Sequence, residues 1–268
     1  MKNILLATTF LAASAGVASA DISFSGSAKA GLASDAGGAF ETYSSANLAV
    51  SMTGSTDNGL TFGADFDTTL GRSYTFGDSD TFADESGAFG MPTIWIDGAF
   101  GKVEISDDNY DFFDDANGGG DTKYTGAFGA VSVGLIADVD LGEFSGNLGY
   151  AANNISVNLN ADTYSLWDIS LGYTLGAITA TVATDESSLS SLKLAYDKNG
   201  MSASVKFDTD SFWEADAGYS ANSITINLGT DADSHWDVTA SYDLGGGLSL
   251  EAGTNYTSDA YLGAAMEF

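Results

Sequence analysis

Carboxylates are the one class of chemically active side chain that this sequence carries in quantity, 37 of them against 8 lysines and arginines. Six aspartates, Asp107, Asp108, Asp111, Asp114, Asp115 and Asp121, crowd a single glycine-rich stretch. Carboxylates placed so close together can do three things. They can line a constriction and sort ions by sign, because charged rings select and a low-dielectric wall focuses their field. They can chelate a hard divalent cation such as Ca2+, although their spacing follows no defined calcium loop. They can also do no more than keep a surface loop in water. Apart from calcium at such acidic loops, the residues imply no cofactor.

Catalytic arrangements are thin. The single histidine, His235, follows Asp233 and Ser234, but three sequence neighbours cannot converge in space as a triad must. Gly118-Gly119-Gly120-Asp121 has neither the lysine nor the helix of a phosphate loop. The absence of cysteine removes disulfides, thiol catalysis and cysteine-ligated metals. No catalytic and no metal-ligating residue is assigned, and an enzyme is not expected.

The elements that must position the carboxylates are strands. Tyr150, Tyr173, Tyr196, Tyr219 and Tyr242 fall 23 residues apart. Each closes a run with an apolar or small residue at every second position: Leu148, Leu171, Leu194, Ala217 and Ala240, then Gly146, Ile169, Leu192, Ala215 and Val238. Trp167, Trp213 and Trp236 stand at the far end of three of these runs. A period of two means strands with one apolar face. A 23-residue unit is one hairpin with strands of about ten residues, and roughly 9–11 suffice to cross a bilayer at a tilt. Tryptophans at one end and tyrosines at the other predict the two aromatic girdles of a membrane barrel. A soluble sandwich also alternates, but it hides its aromatics in a core instead of repeating them at both rims.

The ends of the chain agree. Lys2, the apolar run Ile4 to Leu11 and Ala18-Ser19-Ala20 have the order of an export signal, which predicts a mature chain of residues 21–268. No later stretch approaches the ~18 apolar residues of a spanning helix. With Lys2 removed, 7 basic groups face 37 acidic ones, a net −30, the opposite of a nucleic-acid footprint. A disordered acidic chain is excluded by 44% apolar and 12% aromatic content.

Further strands follow the same parity. Ile22, Phe24, Gly26, Ala28, Ala30 and Leu32 share one face, as do Ala46, Leu48, Val50 and Met52, then Leu60, Phe62, Ala64 and Phe66 after the turn Thr56-Asp57-Asn58-Gly59. Gly71 to Gly90 is expected as a long loop. A hairpin through Ile94, Ile96, Val103 and Ile105 turns at Ala99-Phe100-Gly101-Lys102, and a polar insertion runs from Asp107 to Thr122. A short strand near Tyr124 is weakly patterned. The last repeat is shifted by one residue, which a longer turn at Gly245-Gly246-Gly247 would correct. The predicted fold is all-β: a closed antiparallel up-and-down transmembrane β-barrel of 16 strands, or 18 if every candidate is counted. Short turns would be periplasmic and longer loops extracellular.

Parity assigns Lys29, Asp65, Asp67, Asp97, Glu104, Asp168, Lys193, Lys206, Glu214, Asp216, Asp237 and Glu251 to the inner face, with Lys123 a further candidate. Their sum is negative, so a water-filled interior would prefer cations. Asp168, Glu214 and Asp237 each follow a tryptophan and therefore point away from it. A chain ending on Phe268 at the close of an alternating strand carries a feature that barrel-insertion machinery could read as an assembly signal.

Three stretches resemble a known family. Ser51 to Ala64, Asp97 to Ile105 and Ala240 to Gly247 are similar to hairpins of the general diffusion porins of α-proteobacteria, the Rhodobacter-type Gram-negative porins. The resemblance implies a homotrimeric, 16-stranded channel in the outer membrane, among lipid and lipopolysaccharide, passing small hydrophilic solutes and ions by passive diffusion. It also implies a third extracellular loop folded into the barrel, which by position is Asp107 to Thr122. That stretch is shorter than the family's loop. The facing strand segment Thr42 to Asn47 has no arginine where the family sets bases. A channel specialised for one substrate class, and a plugged barrel serving as an adhesin or envelope-structural protein, are the alternatives.

Overall fold

The computed structural model describes residues 21–34, 38–76, 81–110, 120–139 and 142–268. The export signal expected at 1–20 lies outside them, as do Asp111, Asp114 and Asp115. The described chain is a succession of strands: β1 (Asp21–Ser34), β2 (Glu41–Ser55), β3 (Thr61–Thr75), β4 (Thr81–Ser86), β5 (Thr93–Gly98), β6 (Gly101–Tyr110), β7 (Gly120–Phe128), β8 (Val131–Asp138) and β9 (Glu143–Ala152). The regular half continues with β10 (Ile155–Asp162), β11 (Trp167–Leu175), β12 (Ile178–Asp185), β13 (Ser190–Lys198), β14 (Met201–Asp208), β15 (Trp213–Ala221), β16 (Ile224–Asp231), β17 (Trp236–Gly245), β18 (Leu248–Asn255) and β19 (Ala260–Glu267).

Except for β4 and β5, which both pair with β3, neighbours in sequence pair antiparallel all the way round. The ring closes where β1 pairs with β2 on one side and with β19 on the other, from Ser27↔Glu267 to Ser34↔Ala260. The terminal N–H of Phe268 completes the seam by donating to the Gly26 carbonyl at 2.8 Å. Closure leaves no free edge along the spanning part of the wall, the condition that lets a sheet sit in hydrocarbon. β4 alone is not a full member of the wall. It pairs with the upper part of β3, Leu70↔Ser86 to Thr75↔Thr81, while β5 takes the lower part, Thr61↔Asp97 to Asp65↔Thr93. The two share one column, so the barrel has 18 strands. The higher of the two expected counts is the observed one, and the 16 implied by the family resemblance is corrected.

The apolar face points out. Leu171, Val182, Leu194, Leu228 and Leu250 are all exposed, as are the five repeat tyrosines and Trp167, Trp213 and Trp236. Among the described residues the buried hydrophobics are only Ala33, Tyr43, Val50 and Ile136, and no large side chain is fully buried. A soluble sandwich of this composition would show the reverse. An apolar exterior on this scale needs a lipid solvent.

Turn chemistry alternates between the two rims. On the tyrosine side, Asn153-Asn154, Asn199-Gly200 and Asn222-Ser223 take positive φ at both positions, the backbone twist that two-residue hairpins require. On the tryptophan side, Asp162, Asp185, Asp231 and Asn255 each accept the backbone N–H four residues on, from Leu166, Leu189, His235 and Asp259 at 2.8–3.0 Å. A serine with positive φ sits within each of these loops, at 165, 188, 234 and 258. The last repeat is corrected as expected: the register slips between Asp243 and Gly245, and Gly245, Gly246 and Gly247 all have positive φ.

Three expectations are revised. Gly71 to Gly90 is not an unbroken loop, because β3 runs on to Thr75 and β4 returns beside it. The insertion Asp107 to Thr122 is shortened from both ends, as β6 reaches Tyr110 and pairs it with Gly120 of β7. The segment around Tyr124 is a nine-residue strand paired on both sides. In each case cross-strand backbone bonds decide the state where side-chain alternation is faint.

Candidate functional site: the lumen and its mouth

The inner face is a polar wall stitched by side-chain hydrogen bonds. Asn47 donates to Asp67 at 3.0 Å and to Thr69 at 3.1 Å. The Trp95 indole donates to Asp65 at 2.7 Å. Asn147 bridges Asn158 and Asn160 at 2.8 and 2.6 Å, and Asn160 donates on to Asp168 at 2.9 Å. Ser204 holds Asp216 at 2.9 Å. These groups sit on alternate positions of paired strands, so the two-residue period that turns leucines to lipid turns amides and carboxylates to the interior.

Bases are few and placed beside acids. Lys29 is 3.6 Å from Glu251, and Lys206 is 3.4 Å from Asp208. Lys193 stands directly opposite Lys206, and Lys206 opposite Glu214. Lys123 is opposite Glu104, which places it on the same face. Lys102, read from the sequence only as part of a turn, begins the inner face of β6 and meets Glu104 at 2.6 Å, above the Trp95 ring at 5.0 Å. Its alternation with Val103 and Ile105 was the available signal. Asp97 lies opposite Lys102. In each ion pair the lysine reaches solvent while the acid is more buried, and the pairs fix where charge sits along the wall.

Asp216 and Asp237 approach each other across Gly229 of β16. A Cβ on that glycine would be 2.4 Å from an Asp237 oxygen and 3.6 Å from an Asp216 oxygen. Glycine is what allows two carboxylates to share this span. Together with Glu214, Thr239, His235 and Phe76 they line a cavity of about 440 Å3. His235 is 3.0 Å from Asp231 through Nδ1 and stacks on Tyr256 with ring centres 4.1 Å apart. Ser234 takes the positive-φ position of the same rim loop, so the Asp-Ser-His run builds a turn.

Of the six clustered aspartates, Asp111, Asp114 and Asp115 lie outside the described residues. Asp107 and Asp108 belong to β6. Asp121 turns to the neighbouring connection, where its carboxylate accepts the Val139 N–H at 3.1 Å. Among the described residues no group of three or more His, Asp or Glu side chains is placed to hold a metal ion. Phe268 is 80% exposed on the outer face beside the seam.

The profile of the Gram-negative porins matches residues 7–266. Among solved structures, a five-substitution variant of Rhodopseudomonas blastica porin superposes with a TM-score of 0.57 at 14% identity, covering 92% of this chain and 100% of that one. A two-substitution variant of the same porin gives 0.55 at 13% over the same shares. A porin refined at 1.8 Å gives 0.54 at 18%, again over 92% and 100%. At such identities the superpositions establish the fold. No curated protein matches the chain.

Proposed function

This chain belongs to the Gram-negative porin family, and from that premise we propose that it is a passive, cation-preferring outer-membrane channel for small hydrophilic solutes. The observation that carries the sign is the composition of the inner wall. Among the described residues, Asp65, Asp67, Asp97, Glu104, Asp168, Glu214, Asp216, Asp237 and Glu251 share the inner face with Lys29, Lys102, Lys123, Lys193 and Lys206. Fixed charge of one sign along a low-dielectric wall concentrates the counter-ion and repels the co-ion. Size and charge then govern passage, with no coupled energy source. An N-terminal export signal, insertion by the barrel machinery through Phe268, assembly as a homotrimer and packing against lipopolysaccharide complete this reading.

The test is a planar-bilayer recording of the full mature chain under a KCl gradient. Stepwise conductance with a reversal potential of cationic sign is the expected result. A reversal potential favouring chloride contradicts the charge assignment, and absence of any conductance step contradicts the channel itself.

A further inference from the structure

We propose that the β3–β4 hairpin is a fixed inward strap that narrows the mouth of the channel, with Phe76 and Tyr74 as its size-determining side chains. The inference rests on the channel reading above and adds which residues set its size limit.

The hairpin leaves the wall at a definable point. β2 and β3 stay paired from Ser55↔Thr61 up to Ser44↔Arg72. Above that level β2 remains paired with β1 as far as Ala33↔Glu41, whereas β3 pairs only with β4. Gly71 sits at the departure with φ +95°, and a Cβ there would stand 2.2 Å from the Ser44 carbonyl oxygen. A side chain is incompatible with both the backbone and the space, so glycine is required at this bend.

Beyond the bend the side chains change surroundings. Phe62 and Leu70, lower on β3, are exposed on the outer face. Tyr74 and Phe76 share their parity, yet Tyr74 packs 5.7 Å from Tyr43 and 6.1 Å from Tyr261, and Phe76 packs 4.9 Å from Tyr261. Tyr43 and Tyr261 are inner-wall residues. The Tyr43 hydroxyl lies over Gly31 and Gly263, where an added Cβ would come within 2.7 and 2.2 Å of it. Tyr74 donates its hydroxyl to the Ser34 carbonyl at 3.4 Å. Arg72, the only arginine of the chain, pairs with Glu41 at 2.6 Å and covers the Phe82 ring at 4.2 Å, fastening both hairpin strands to β2. Under this cover Ala33 is fully buried and Tyr43 is 6% exposed. After β4 the chain comes back out, for Phe89 meets the outward Phe66 ring edge-on at 5.4 Å.

Phe76 shows how far inward the strap reaches. It forms one wall of the cavity whose other wall is Glu214, Asp216, Asp237 and Thr239. Those residues belong to β15 and β17, which are separated from β3 around the ring by β2, β1, β19 and β18. A side chain just past the end of β3 can face them only across the interior. The mouth therefore passes between an aromatic strap and an acidic wall.

Phe76→Ala should raise single-channel conductance and admit larger sugars in a graded series, and Phe76→Trp should lower both. The chain has no cysteine, so Phe76→Cys supplies a unique thiol. A bulky, membrane-impermeant thiosulfonate added to the open channel should remove roughly half its conductance, since a group of that size occupies a narrowing lined by single side chains. Phe89→Cys, on the outer side of the same segment, should keep full conductance under the same reagent. A conducting wild type whose Phe76 variants match it in conductance and sugar cut-off, or whose Phe76→Cys thiol reacts without effect or not at all, overturns the strap and leaves the channel reading standing. A wild type that conducts nothing overturns both.

Discussion

Exchanging Glu214, Asp216 and Asp237 for their amides should lower the cation-to-anion permeability ratio of the open channel roughly tenfold, because three unit charges at ~8 Å in aqueous dielectric, screened at ~0.1 M salt, together favour a cation by ~0.7 kcal/mol and disfavour an anion by the same amount. The structure supplies the reason for choosing these three. They line one cavity, and Asp216 and Asp237 share the space over Gly229. The amides keep the shape and an acceptor for the Ser204 hydroxyl, which lies 2.9 Å from Asp216, so folding should be retained. Neutralising Glu214 also leaves its cross-strand neighbour Lys206, and Lys193 beyond it, without the facing acid. Reversal potentials under a KCl gradient give the ratio directly. An unchanged ratio would mean that permeating ions do not pass this wall.

A charge on the other face should act on stability instead. Leu171 lies in the middle of β11, between the Trp167 and Tyr173 ends, and is 53% exposed. Leu171→Arg should cost about 2–4 kcal/mol, the penalty for a guanidinium near the bilayer midplane on the lipid face of a barrel. Ser170, one residue earlier, faces the interior opposite Asn158 and Ala183. Ser170→Arg should change stability by less than about 0.5 kcal/mol while weakening cation preference. Denaturant unfolding of both variants in lipid vesicles, followed by tryptophan emission, measures the contrast. Equal costs at the two positions would mean that the wall does not separate lipid from water.

The regular half of the barrel was legible because its information is local. Tyr150 to Tyr242 repeat within single hairpins, and the same alternation assigns each lipid-facing leucine and each inward amide. The glycine run at 245–247 announced its own register correction. A second signal of the same period, Asp162, Asp185, Asp208 and Asp231, marks the rim loops, but an acid near a turn looks like ordinary solvation until its carboxylate is seen on a backbone N–H. Asp208 shows the limit of that pattern: it holds the repeat position but turns toward Lys206. The irregular half was harder for a physical reason. Tyr74 and Phe76 lie among Gly, Ser and Asp and pack against Tyr43 and Tyr261, partners far off in sequence. No periodicity within Gly71 to Gly90 encodes those contacts. The count of 18 is present in the strand pattern itself; 16 follows from discounting the weakly patterned strand at Tyr124, which the structure pairs on both sides.

Everything rests on which solvent each face meets, and the native indoles report that directly. Trp95 faces inward on Asp65, while Trp167, Trp213 and Trp236 stand exposed on the outer face. In a Trp95→Phe variant reconstituted into vesicles, the remaining three should be strongly quenched by lipids brominated on the upper acyl chain and only weakly by aqueous acrylamide. Emission insensitive to brominated lipid would contradict the placement of these residues against the bilayer, and with it the barrel's orientation of lipid outside and water within.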